Sequence, residues 1–210
     1  MPFYLTLLII AGVFGFALMV ITLMLRHVKA TQAIWSRFAG RHGLQFQPSP
    51  WPVALVHVGG VQGLLEGLPF EMRPVNKGSG RNQSTYTRMQ VTIPGLPPGL
   101  VIRHEGFLGK VGKALGGQDV RLDDPHFDAA FLIKGADPAA VRQYLTLARR
   151  DALLLHMREA KGVEVLSGGL VFERRGLIRD EAELDRTIDR LRFLTRALGP
   201  GEAAHSRAPF

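Results

Sequence analysis

The chain contains no cysteine. Disulfides, thiolate metal centres and a cysteine nucleophile are therefore excluded. Local signatures of other chemistry are also missing. None of the histidines is paired in an H-E-x-x-H helix, and no G-x-S-x-G elbow surrounds any serine. No helix-turn-helix, RNA-stacking aromatic motif or zinc knuckle accompanies the basic residues. Acidic residues are absent before Glu66. These absences point away from enzymes with recognisable motifs and from nucleic-acid binding, and no cofactor is expected.

What is present begins with an apolar run. Residues 3–25 hold no charge, and only Tyr4, Thr6 and Thr22 are mildly polar. At 1.5 Å per residue the run spans about 34 Å, enough for a hydrocarbon core of about 30 Å. A secretory signal would want a basic residue ahead of a shorter run and a small-residue cleavage site. Val28-Lys29-Ala30 offers such a site, but no base precedes the run, and a retained transmembrane helix is expected. Within it Ala11 and Gly15 sit four apart, a spacing that lets two membrane helices approach closely.

Arg26, Lys29, Arg37 and Arg41 follow the span, and bases flanking a span tend to stay cytoplasmic. The expectation is an N-terminus outside and a C-terminal domain inside. Those four residues and Trp35 are the candidate membrane-interface groups, with Trp35 and Trp51 equally suited to a domain core. Charge is uneven. Residues 1–50 carry four bases and no acid, and 51–118 carry seven bases and three acids, so the whole excess of +8 lies in these first segments. Anionic lipid is the expected counter-charge.

Four parts are read along the chain: a transmembrane anchor over 1–25, a juxtamembrane helix and Pro-rich connector over 26–52, a soluble domain over 53–199 and a flexible tail over 200–210. Strands are predicted at Val61–Glu66, Leu68–Val75, Thr85–Ile93, Leu100–Glu105 and Ala130–Lys134, with a hairpin at Val163–Leu166 and Leu170–Arg174. Thr87, Met89, Val91 and Ile93 alternate with polar neighbours, as in a half-buried antiparallel strand. A glycine-broken helical turn is read over 108–115. Asp137-Pro138 predicts a helix start, a second helix runs through Leu153–Met157, and a last one begins at Asp180 and stops at Gly199-Pro200. Its Leu184, Ile188, Leu191, Leu194 and Leu198 form one stripe. The class is α+β: an N-terminal transmembrane helix, then an antiparallel-sheet domain with C-terminal amphipathic helices.

Asp119, Asp123, Asp124, His126 and Asp128 form the densest polar cluster, with oxygen and imidazole donors suited to a divalent metal. Their spacing is not that of a calcium loop, and Asp124-Pro125 is also an ordinary turn. The turn reading is preferred, and no metal or catalytic residue is assigned. Gly106 to Lys110 lacks the spacing of a phosphate-binding loop.

With Gly117-Gln118-Asp119-Val120, Phe127-Asp128, Phe131 and Gly135-Ala136-Asp137-Pro138 in place, residues 36–198 resemble an uncharacterised family of bacterial single-pass membrane proteins with an α+β soluble domain. The resemblance implies the layout only and carries no activity; a bacterial inner membrane is the location expected from the span and its basic flank. Together these readings lead to a membrane-anchored accessory or assembly subunit, partnered by the bilayer and another membrane protein or complex. The alternatives are a domain binding a small ligand or anionic lipid through Arg73, Arg88 or Arg103, and, after that, a metal-dependent hydrolase.

Overall fold

A computed structural model describes residues 3–50, 58–104, 118–157, 162–166 and 168–200. Trp51, the Gly106–Lys110 segment, the helical turn over 108–115 and the tail from 201 lie outside the described residues.

Helix α1 runs unbroken from Phe3 to Arg41. No proline or glycine occurs between Phe16 and Ala39, so nothing interrupts the hydrogen-bond ladder where composition changes from apolar to basic. The span and the juxtamembrane helix, read separately from sequence, are one element. Its two ends have different surroundings. From Leu7 to Met19 every side chain is exposed, including Leu8, Phe14 and Leu18. The helix as a whole contains an apolar stretch long enough to cross a membrane, and none of that stretch is buried within the protein. Further along, Thr31, Trp35, Phe38 and Ala39 are buried, the i, i+4, i+7, i+8 face of a helix docked on a core.

The core thus starts inside α1, which corrects the expected domain start at 53. Trp35, Phe38, Ala39 and Leu44 belong to the same cluster as the sheet and the last helix. The connector also contributes a strand, β1 (Gln45–Gln47), paired antiparallel with β2 (Gly60–Leu65).

The remaining strands are β3 (Leu68–Lys77), β4 (Ser84–Thr92), β5 (Val101–His104), β6 (Gln118–Asp119), β7 (Phe131–Gly135), β8 (Val163–Leu166) and β9 (Gly169–Arg175). They form one sheet in the order β1-β2-β3-β4-β9-β8-β5-β7-β6, with every ladder antiparallel. Both edge strands are short, which limits edge-to-edge pairing with other chains. β2 and β3 are joined by Glu66 and Gly67, both at positive φ (51° and 77°), the backbone signature of a type I′ hairpin turn. At the β8–β9 turn Gly169 has φ 142°, and a Cβ there would lie 1.8 Å from the Val91 carbonyl oxygen. Only glycine fits.

Register sorts the side chains into two faces. Val61, Met72, Met89 and Phe172 follow one another across β2, β3, β4 and β9, and all four are buried in the core. The helices cover this face: α1, α2 (Pro125–Ala130), α3 (Pro138–Tyr144), α4 (Leu147–Met157) and α5 (Glu181–Leu198). The predicted α5 stripe is buried throughout. Arg149 of α4 caps the C-terminal end of α5, donating to the carbonyls of Ala197 at 3.2 Å and Gly199 at 3.3 Å. The other face carries Gln62, Glu71, Gln90, Arg73, Arg88 and Glu173 and no described helix.

Candidate functional site

Three places hold the residues singled out from sequence. The first is the junction of α1 with the domain. Trp35 is fully buried and its indole N–H donates to the Ile178 carbonyl at 2.9 Å. It is a core residue, not a membrane-interface group. Arg37 pairs with Glu181 at 2.5 Å, and Arg41 with Glu181 at 2.6 Å and Asp185 at 3.1 Å. His42 lies 2.9 Å from the same Asp185. Because α1 is continuous, Arg37 and Arg41 stand about 18 and 24 Å beyond Leu25 along the axis. At that distance their partners are the first two turns of α5. Arg26 and Lys29 are exposed close to the end of the apolar run.

These pairs shift their members. Hydrogen bonds from Arg37 and Arg41 hold the Glu181 carboxyl below the usual carboxylate range. Desolvation pushes Asp185 up, but hydrogen bonds from His42 and Arg41 outweigh it and the net shift is downward. Arg196, 2.6 Å away, likewise lowers Glu66 at the β2–β3 turn, where Arg192 approaches to 3.0 Å. One belt of charge therefore clips α5 to α1 at one end and to a hairpin turn at the other.

The second place is the 119–128 cluster. Asp124 caps α2, accepting from the Phe127 amide at 3.2 Å, and pairs with Arg150 at 2.9 Å. Asp128 accepts from the Leu122 amide at 3.1 Å. Asp119 is largely exposed and lies 3.5 Å from Lys134. Asp123 adopts φ 57°, a turn conformation tolerated by aspartate. Local backbone and cations thus use the carboxylates individually. Among the described residues no three His, Asp or Glu side chains converge as a metal site. His126 instead opens into a depression of about 860 Å³ with His104, Asp151 and Leu154. The His104 Nε2 is buried and has no hydrogen-bond partner among the described residues. Sequence offered no signal for this pairing, since His104 ends β5 and His126 lies in α2.

The third place is the sheet face that carries no helix among the described residues. Arg73, Arg88 and Arg103 all project on it, but each faces a carboxylate: Glu71 at 3.0 Å, Glu173 at 3.6 Å and Glu164 at 3.2 Å. They do not converge on one cavity. A shallow groove of about 590 Å³ crosses the face near β1, lined by Gln45, Gln62, Leu64, Glu71 and Gln90. Leu64 is 64% exposed there. Ala11 and Gly15 lie on the exposed apolar part of α1, and a Cβ at Gly15 would meet nothing within 4 Å.

Compared with protein-family models, curated proteins and solved structures, the chain matches none.

Proposed function

We propose that the chain is a membrane-anchored, non-enzymatic interaction subunit. In this reading α1 crosses a bacterial inner membrane with its N-terminus outside and holds the α+β domain at the cytoplasmic face. The observation that carries it is the composition of α1, apolar and exposed from Leu7 to Met19, then built into the core from Thr31. Exposure of so large an apolar surface is unfavourable in water and favourable in lipid. The bases after the span support the orientation. Individual use of Asp119, Asp124 and Asp128 takes away the reason for a hydrolase, and the paired state of Arg73, Arg88 and Arg103 weakens a dedicated anion pocket.

The surface offered to a protein partner is the sheet face around Leu64, which no described helix covers. Extraction in mild detergent followed by crosslinking should yield a stoichiometric partner, and Leu64→Arg should release it while circular dichroism stays unchanged. A monomer that crosslinks to nothing, or a partner indifferent to Leu64→Arg, contradicts the assignment of that face.

A further inference from the structure

The ties between α1 and the sheet fix which end of the domain faces the apolar run. Trp35 binds the Ile178 carbonyl, and the Ile178 amide binds the Thr87 hydroxyl. Trp35 therefore stands level with the row Pro74–Thr87–Arg174. Leu44 packs against Gly63, its Cδ2 only 2.8 Å from where a Cβ would be, and Gly63 lies in the row of Phe70 and Val91. From Trp35 to Leu44 the chain thus advances in the direction in which β4 runs from Thr87 to Val91. The start of β4 and the end of β3 point back along α1 toward its apolar part.

Distances along this direction decide how far they reach. Ten helical residues separate Trp35 from Leu25, about 15 Å. Three strand residues separate Thr87 from Ser84, about 10 Å. The β3–β4 connection, residues 78–83, occupies the remaining few ångströms. It is wholly exposed and ends level with the close of the apolar run. Arg179 extends the same way, its guanidinium 3.3 Å from the ring of His27.

This end of the domain is basic. Arg26, Lys29, Arg81, Arg175 and Arg179 are exposed on it, together with Lys77, which pairs with Glu173. Asp180, next to Arg179, is engaged as the cap of α5. Among the described residues Arg175 donates to the Ser84 hydroxyl, at 3.2 Å, and to no carboxylate.

We propose that this end is a second membrane contact, in which the β3–β4 tip with Arg81, and the Arg175–Arg179 segment, bind anionic lipid headgroups beside the entry point of α1. The proposal rests on α1 crossing the bilayer. Each base near an anionic surface adds attraction that fades within a Debye length, and a rigid α1 holds these bases within that range. The contact fixes the rotation of the domain about α1, which a single helix leaves free.

The cysteine-free chain allows single labels in the full-length protein. Ser79→Cys carries a fluorophore at the tip and Ala17→Cys carries one in the apolar run. Both are reconstituted in phosphatidylcholine vesicles with or without phosphatidylglycerol and read by quenching from spin-labelled lipid, headgroup-labelled for Ser79 and chain-labelled for Ala17. The expected result is quenching at Ala17 in both vesicles. Quenching at Ser79 appears with phosphatidylglycerol and is lost in high salt and in Arg81→Gln/Arg175→Gln/Arg179→Gln. Quenching at Ala17 with none at Ser79 overturns the proposal and leaves the anchor standing. Quenching at Ser79 that ignores lipid charge and the triple substitution also overturns it. Absence of quenching at Ala17 overturns the anchor and this contact together.

Discussion

The buried hydroxyl of Thr87 donates to the Gly176 carbonyl at 2.8 Å and accepts from the Ile178 amide at 3.0 Å. Ile178 in turn offers its carbonyl to Trp35. One side chain on β4 thus positions the segment on which α1 docks. Replacing it with valine keeps the shape but leaves a buried amide without its partner, at a cost of about 1–3 kcal/mol. Thr87→Val should lower the urea midpoint of the detergent-solubilised protein accordingly, and Thr87→Ser should recover most of the loss. Equal midpoints for Thr87→Val and the unmodified chain would show that the bond contributes nothing. The alternation of β4 made Thr87 legible as an inward residue. Its partner was not legible, because it lies 91 positions away. Trp35 shows the same limit: an indole suits both a lipid interface and a core, and only packing distinguishes them.

At the scale of elements, the contact between α1 and α5 combines a buried apolar seam with the Arg37, Arg41, Glu181 and Asp185 pairs. Exposed ion pairs of this kind are individually modest, but their pH dependence has a definite sign. Glu181, Asp185 and Glu66 all titrate below their usual range in the folded protein. The folded state therefore binds fewer protons than the unfolded one as pH falls toward about 4. Their stabilisation is complete above that range and is lost as pH drops through the depressed folded values. Unfolding midpoints should fall between neutral pH and pH of about 3, and Glu181→Gln/Asp185→Asn should be less stable at neutral pH with a flatter profile. An identical profile for the variant would remove these pairs from the account.

The elements whose own residues carry a pattern were the legible ones, down to the four-residue β8. The stripe of α5 and the strands β2, β3, β4 and β9 carry their period in their own residues. The elements β1, α2 and β6 span three, six and two residues, too short to show a period, and tertiary contacts define them. In α1 the error was of another kind. The shift from apolar to basic residues marks a boundary in composition, although no helix breaker stands there. The 119–128 aspartates carry a related ambiguity: aspartates favoured at caps and turns look the same in sequence as aspartates gathered around an ion, and the turn reading was the preferred one.

Over the whole molecule, one helix has two environments and the domain is arranged around its second half. Absence of a flexible joint means that the sheet, the charged belt and the β3–β4 tip take their position from α1. In the proposed reading α1 leaves lipid and enters the domain core as one rod. Single cysteines at Ala17, Ile21, Ala33, Trp35, Ser36 and Phe38, probed in sealed membranes with a water-soluble maleimide, test it most directly. No reaction is expected at Ala17 or Ile21 from either side. Ala33 and Ser36 should react from the cytoplasmic side alone, and Trp35 and Phe38 should not react until the domain is denatured. Aqueous labelling of Ala17 and Ile21, or equal labelling of Ser36 and Phe38, would contradict it.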